Sequence, residues 1–526
     1  MTVKTSPTWW VRLPVAALSG LLAGFAALAV AELVSAAVRP QSGPIVAVGG
    51  AAIDLTPAPV KDFAIRHFGE NDKLILQLGI LATLAALAVV LGLIALRYRR
   101  AGSAGVLLFG VVGAGAAISR PDSTGTADAL PSVVGAMVAT ALLYWLIGRL
   151  TTPIAESDAV TGAGWDRRGF LISATAAAVA SAGAGALGRY LNDMRGQNAA
   201  ASRNAVKLPA PASAAAPVPA GAQLKIPGIS PFTTPNNAFY RVDTALVIPK
   251  VDATTWRLRL HGKGVTRPLS LSFQDLQGRE LIERDITITC VSNEVGGPYV
   301  GNARWIGVRL ADLLREAGVK PPSQGGPADQ LVARSVDAMT IGSPVEDVMD
   351  GRDAMLAIGM NGQPLPFVHG FPVRMVVPGL YGYVSACKWI QDIELTTFDA
   401  YDAYWVKRTW AKRGPIKTES RIDTPKPFAR PKAGTVMIAG VAWAQQRGID
   451  RVEVRIDDGP WNLADLADQD TPDTWRQWSY PWKAASGGHT LTVRATDRTG
   501  HIQTQKRTNT IPDGASGWHS VFITVT

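Results

Sequence analysis

Hydrophobic and polar positions divide the chain into two unlike halves. Before residue 190 the apolar residues form long runs, at about Pro14–Val38, Lys73–Leu96, Ala104–Ser119 and Ala129–Leu150. A membrane-crossing helix needs roughly 20 residues at about 1.5 Å rise each. Three runs meet this, and the third is short and rich in Gly and Ala. A fifth, Ala-rich run follows Trp165-Asp166-Arg167-Arg168-Gly169-Phe170-Leu171 and ends near Gly188. Past Gly228 the pattern becomes short and alternating. Thr255–Leu260 and Leu269–Phe273 alternate with the period of a strand, and Gln274–Gln277 reads as a short helical turn. Ile286–Thr289 predicts a strand that ends at Cys290, with Val291–Gly297 as the loop after it. Thr435–Trp443, Ile449–Ile456 and Gly488–Ala495 predict further strands, with turns at Asp457-Asp458-Gly459 and Asp497–Gly500, as in a β-sandwich. Between the halves, residues 191–228 are rich in Ala, Pro and Ser and read as a semi-extended tether.

Composition agrees with a mixed protein. Hydrophobic residues at 47% and charged residues at 18% are too apolar for one soluble domain and too polar for an all-membrane one. The net charge of +10 is spread without a basic–aromatic array, so nucleic acid is not an expected partner. The two cysteines, Cys290 and Cys387, cannot build a CxxC-type zinc or iron–sulfur site. One disulfide between them is open in an oxidising compartment. All six histidines (His67, His261, His369, His489, His501, His519) lie outside the apolar runs, which excludes a haem held by paired membrane histidines. Glu32 is the one acidic residue within a run and reads as interfacial.

Basic residues also set a topology. Lys4, Arg12, Arg97, Arg99 and Arg100 are expected on the cytoplasmic side. With five spans, Arg167 and Arg168 are also cytoplasmic and everything after the fifth helix lies outside. Paired arginines, then Phe170-Leu171 and a weakly apolar run, resemble a twin-arginine export signal at 165–171. The alternative is an ordinary basic flank on a fifth helix. A twin-arginine route carries folded domains, so a cofactor acquired before export is expected in the C-terminal half.

A cysteine leaving a strand into a Gly-containing loop can point into a cavity. It can equally be a small buried apolar residue, the commoner fate of a free cysteine, and spacing alone favours that reading. Five ordered blocks bear on the choice: Thr287–Asn293, Arg304–Leu310, Met360–Pro366, His369–Arg374 with Val377-Pro378-Gly379, and Lys388-Trp389. Over residues about 230–400 they resemble the sulfite oxidase family of molybdenum enzymes. The resemblance implies a mixed α+β domain holding one molybdenum–molybdopterin, with Cys290 as the metal's thiolate ligand. Asn237, Tyr240 and Arg241 match a segment lining the pterin in the related periplasmic methionine sulfoxide reductases. His369 and Arg374 match pterin-binding positions, a guanidinium fork suiting the cofactor phosphate. Ser385 and Lys388 complete the candidates, next to an apparent one-residue insertion between Gly382 and Lys388. Arg241 is also a candidate catalytic residue, as a positive charge facing the substrate.

The sequence departs from sulfite oxidases where arginines are expected, with Glu294 and Val295 in their place, and the stretch Ala338–Ser343 offers no tyrosine. A doubly charged oxyanion needs a cationic pocket, so sulfite is in doubt as substrate. A disulfide between Cys290 and Cys387 would destroy the metal site. Cys387 is therefore read as a free, partly buried thiol near the cofactor.

These readings give a five-helix membrane domain at 1–190, a linker at 191–228, a molybdopterin domain at 229–403 and, by resemblance, an immunoglobulin-like dimerisation-type domain at 404–526. A tethered monomer is the alternative to a dimer. The expected function is extracytoplasmic oxygen-atom transfer on a small-molecule substrate by a membrane-anchored enzyme. With no haem or flavin motif in the sequence, a separate cytochrome or quinone-linked partner would exchange electrons. The alternatives are a reductase of methionine sulfoxide or related oxides, and a non-catalytic cell-surface binding module.

Overall fold

The structure is a computed structural model in which residues 9–57, 60, 67, 72–120, 123, 125–151 and 167–526 are described. They divide into two compact units. One comprises residues up to Asn198 with Thr244–Ile248, the other Ala199–Asp243 with Pro249–Thr526.

The first unit is helical. It contains α1 (Trp9–Ala37), α2 (Pro44–Leu55), α3 (Asp72–Arg97), α4 (Arg99–Ser119), α5 (Leu130–Thr151) and most of α6 (Arg167–Ala205). Among the described residues, five helices, all but α2, are long and apolar enough to cross a membrane. Large apolar side chains such as Leu18, Val90, Leu108 and Val111 are exposed on them, as a lipid-facing surface requires. α1 and α3 approach closely at Gly20 and Gly92, where an added Cβ would strike the backbone of the facing helix. α4 starts at Arg99, so the short third run becomes a 21-residue helix. Its polar first turn lengthens the helix without apolar residues, which hydropathy could not reveal. α2 was not foreseen; at 12 residues, with Pro44 at its first position, it is too short to span. Glu32 Oε1 accepts a hydrogen bond from Asn192 Nδ2 on α6 at 2.8 Å. Trp165 and Asp166 of the arginine motif lie outside the described residues, while Arg167 and Arg168 open α6.

The second unit begins with the last turns of α6. The segment read as a tether does not behave as one. Its residues to Ala205 are helical. Arg203 donates to the carbonyls of Leu365 and Pro364 at 2.7 and 2.8 Å. Further on, Ser213 bridges Ile282, and Ala222 is fully buried. Ala and Pro lack the bulk to build a core, yet their small, unbranched surfaces can lie flat against one already built.

Two sheets form the central domain. β1 (Arg257–Gly262) and β2 (Leu269–Ser272) precede α7 (Phe273–Gln277), which Ser272 and Asp275 close with a capping box. β3 (Leu281–Thr289) and β4 (Val300–Arg309) form a hairpin, followed by α8 (Leu310–Glu316). Then come β5 (Gln330–Ser335), β6 (Thr340–Pro344), α9 (Val345–Met349), β7 (Met355–Met360), β8 (Gln363–Pro364), β9 (Arg374–Val376), α10 (Gly382–Ser385) and β10 (Ile390–Thr396). Among the described residues one sheet has the order β2-β1-β10-β5-β6. The other runs β3-β4-β7-β8, with β9 also on β7. Their shared core includes the fully buried Trp305 and Phe371.

The C-terminal region is all β. Its strands are β11 (Glu419–Thr424), β12 (Gly434–Trp443), β13 (Ile449–Ile456), β14 (Trp461–Leu463), β15 (Asp465–Leu466), β16 (Arg476–Ala484), β17 (Gly487–Asp497) and β18 (His519–Val525). They form two sheets, β11-β12-β16-β15 and β14-β13-β17-β18, that enclose a common apolar core.

Candidate functional site

β3 and β4 pair in register up to Thr289 and Val300, so residues 290–299 are the loop that joins them. Cys290 opens that loop. Its N–H donates to Tyr299 O at 2.9 Å, and its carbonyl accepts from Asn293 N at 3.0 Å. Buried Asn293 closes the loop from inside, its Oδ1 accepting from Tyr299 N at 2.8 Å. Gly296 turns the chain with φ +80°. The strand-end position read from sequence is therefore correct. Cys290 is buried at 9% exposure, with Ser292 Oγ 2.9 Å from its sulfur. Burial pushes the thiol pKa up, against the hydrogen bonding of Ser292 and the charge of Lys388. A metal binding here would have to displace the proton.

Tyr240 and Lys388 lie close enough to Cys290 to feel its charge, and Arg374 and His369 lie close to those two in turn. Tyr240 stacks on Phe239 at 5.2 Å and meets the edge of Tyr299 at 6.2 Å. Burial raises its phenol pKa, with smaller opposing effects from Cys290 and Arg374, both close enough to be felt. His369 ends a short 3₁₀ turn and packs on Phe239 at 5.6 Å. Burial lowers its pKa to about 4, so the ring is neutral at pH 7. Its Nε2 lies 2.8 Å from the carbonyl of Asn236 and must carry the proton, which leaves Nδ1 an acceptor. Gly370 follows with φ +109°, and a Cβ there would crowd both Lys388 and Arg374 at 3.1 Å. The left-handed glycine thus lets three candidate residues converge.

Arg374, the first residue of β9, is fully buried. Its guanidinium lies 4.9 Å from the ring centroid of Trp305, and Nη1 donates to His369 O at 3.2 Å. Its Nε is buried with no hydrogen-bond partner. Burial lowers its pKa to about 10. A buried guanidinium with spare donors is costly unless an anion completes it.

Lys388 donates to Asp243 Oδ2 at 2.7 Å, and Arg241 Nε donates to the same oxygen at 2.9 Å. Arg241 is therefore partly neutralised by a carboxylate that sequence reading missed. The other overlooked residue is Asn236. The expectation fell on exposed Asn237, but it is Asn236 that binds His369 through its carbonyl and accepts from Asn361 Nδ2 at 2.8 Å. Two adjacent asparagines in a turn cannot be ranked by pattern. Ser385 is buried, and its hydroxyl donates to Leu380 O at 2.9 Å, closing its own turn. Cys387 is free and buried, its thiol pKa raised by burial and by Asp337. Among the described residues no group of three or more His, Cys, Asp or Glu side chains could hold a metal ion. A metal at Cys290 would need most of its ligands from a non-protein group. Molybdopterin fits that donor set: one soft thiolate, an unfinished buried guanidinium for a phosphate, and a neutral imidazole acceptor.

Comparison with known proteins follows the same lines. Residues 245–405 match the family model for the oxidoreductase molybdopterin binding domain. Human mitochondrial sulfite oxidase is 29% identical over 306 residues, covering 50% of this chain and 55% of that protein. The chain thus spans about half the length of the curated relatives it matches. An uncharacterised oxidoreductase of Bacillus subtilis is 33% identical over 163 residues, 31% of this chain and 76% of that protein. Among solved structures, the sulfane dehydrogenase SoxCD from Paracoccus pantotrophus aligns at 26% identity with a TM-score of 0.46, over 53% of this chain and 78% of that one. The family model covers the segment that carries Cys290, His369 and Arg374, the Bacillus relative is matched over three quarters of its length, and the sulfite oxidases match over half of this chain; the chain belongs to the sulfite oxidase family of molybdopterin-dependent oxidoreductases.

Proposed function

We propose that this is a membrane-anchored, extracytoplasmic oxidoreductase that transfers an oxygen atom to or from a small neutral substrate. The observation that supports the reading is Arg374, a buried guanidinium with an unpartnered Nε, close to Tyr240 and His369, with Tyr240 in turn close to Cys290. Bound molybdopterin supplies two-electron redox chemistry coupled to oxygen-atom transfer. Cys290 provides the protein's thiolate ligand, and Ser292 takes or gives the hydrogen bond at its sulfur. Arg374 would hold the cofactor phosphate, His369 would accept a hydrogen bond from the pterin through Nδ1, and Tyr240 would contact the pterin. Lys388 and Asn236 orient this shell, while Ser385 and the exposed Asn237 are peripheral members of it.

The substrate preference follows from charge. Glu294 is exposed and Val295 buried where sulfite oxidases carry arginines, and Arg241 is held by Asp243. With Arg374 committed to the cofactor phosphate and Arg241 and Lys388 both held by Asp243, the site suits a neutral oxide, such as a sulfoxide or N-oxide, better than sulfite. Electrons exchange with a separate cytochrome or quinone-linked partner. The last spanning helix carries the arginine pair at its start, as export of a cofactor-loaded domain requires. The C-terminal sheets form an immunoglobulin-like sandwich able to support a dimer. The test is turnover of sulfite, sulfoxides and N-oxides by metal-replete protein. Reduction of a neutral oxide is the expected result; sulfite oxidation at comparable rates would overturn the preference, and absence of molybdenum would overturn the enzyme reading.

A further inference from the structure

The C-terminal β domain grips the Cys290 segment from both sides. Before the cysteine, Thr287 N donates to Asp473 O at 2.9 Å, and Thr287 Oγ1 accepts from Trp475 N at 2.7 Å. Gln445 Nε2 donates to Thr287 O at 2.9 Å and reaches Thr289 Oγ1 at 3.3 Å. After the cysteine, Arg421 Nη1 donates to Gly297 O at 2.8 Å. The His519 imidazole lies against Gly296, where no Cβ would fit. These grips are themselves fixed. Arg421 is held by Asp423 at 2.7 Å and Ser230 at 2.9 Å, and His519 Nδ1 accepts from Ile422 N at 3.0 Å. Arg421, Gln445, Thr287 and Thr289 are all buried.

We propose that this domain is a scaffold for the cysteine, with Arg421 and Gln445 as its positioning residues, and not only a module for association. The physical need is plain. Residues 290–299 form the loop between β3 and β4, outside the ladder that holds both strands. A metal ligand has to be held to within about 0.5 Å of its working position. Strand β3 fixes where the loop starts, Gln445 and Trp475 lock that strand against a second domain, and Arg421 stops the far end from swinging. Loss of such supporting contacts weakens a ligand's grip by roughly 10–100-fold. The proposal rests on the reading of Cys290 as the metal ligand, but its test need not.

In full-length, detergent-purified protein without cofactor, iodoacetamide alkylation of Cys290 and Cys387 is followed by mass spectrometry. Cys387 serves as an internal reference, since it is buried in the same domain away from these contacts. Each change removes a buried hydrogen bond that opposes local opening, so Arg421→Gln and Gln445→Leu are expected to raise the Cys290 rate about tenfold and leave Cys387 unchanged. Arg494→Gln, which breaks an ion pair to Glu453 on the sheet that carries neither Arg421 nor Gln445, is expected to change neither. No rise at Cys290, or an equal rise at both thiols, would overturn the proposal, because equal exposure means general loosening. In loaded protein the same variants should shift the visible absorption of the thiolate–metal bond and lower kcat with little change in KM. A rise confined to Cys290 supports the proposal even in protein that binds no molybdenum, an outcome that overturns only the ligand reading.

Discussion

Lys388 and Arg241 meet at one atom, the Oδ2 of Asp243, at 2.7 and 2.9 Å. Asp243 is almost fully buried and Lys388 largely so. Removing one partner of a buried ion pair leaves the other uncompensated, which costs about 3–5 kcal/mol. Asp243→Asn is therefore expected to destabilise the second unit by about that amount, read as a drop in denaturation midpoint. The released Arg241 should also lower KM for anionic substrates relative to neutral ones. An unchanged ratio would remove Asp243 from the account of substrate charge.

Arg374 lends itself to a sharper test, because its two roles have opposite signs. Replacing a buried, incompletely bonded cation by an apolar side chain of similar length is neutral or stabilising to the bare protein. Losing a charge-assisted bond to a phosphate costs about 1.5–3 kcal/mol, roughly tenfold or more in affinity. Arg374→Met should raise or preserve the melting temperature of cofactor-free protein while cutting its molybdenum content about tenfold. A fall in both would mean that the residue is structural.

The two cysteines should separate cleanly. Cys290→Ser is expected to abolish turnover and the thiolate contribution to the visible spectrum while the protein stays folded. Cys387→Ser should keep most activity, since its sulfur only approaches the carbonyl of Lys388 at 3.7 Å. Equal losses from both substitutions would contradict the assignment of Cys290 alone.

Glu419, on β11, predicts a pH dependence. Burial raises its carboxyl to about 8, well above its unfolded value. Between the unfolded value and about 8 the folded protein holds a proton that the unfolded chain releases, so stability falls as pH rises through that window. Glu419→Gln should flatten this fall, with the gain over wild type largest above pH 8. Melting curves from pH 5 to 9 measure it, and parallel curves would show that the carboxyl titrates normally.

Export can be checked with a reporter active only outside the cytoplasm, fused after Thr526. Changing Arg167 and Arg168 together to Lys should abolish its signal while total protein is unchanged. Unaltered signal would reduce the pair to a basic flank of α6.

Much of this was legible before any coordinates. The period-two alternation of Leu269–Ser272 and Ile286–Thr289 became strands, and Cys290 fell at the end of one; in Ile286–Thr289 both faces are buried, and the alternation survives because the threonines bond to polar neighbours while the isoleucines pack in the core. The blocks around His369 and Arg374 could be recognised because their order along the chain is itself informative. Asp243 and Asn236 were not legible. Each acts through a partner more than a hundred residues away, Lys388 or His369, and local pattern carries no trace of such a pairing. The residues before β1 misled for a related reason: low bulk and proline suggested a free tether, whereas Ser213 and Ala222 find their partners only in the folded domain. α4 was underestimated because its first turn is polar.

Trp475 N and Thr287 Oγ1 are 188 positions apart in sequence. The cysteine's supporting strand is therefore incomplete until the chain has been synthesised and folded at least as far as Trp475. On the reading of Cys290 as the metal ligand, a nascent or truncated chain that stops before Trp475 would offer the cofactor an unfinished socket. On that reading the fold carries its own quality check: a chain whose C-terminal β region has failed to form would be poor at taking up the cofactor.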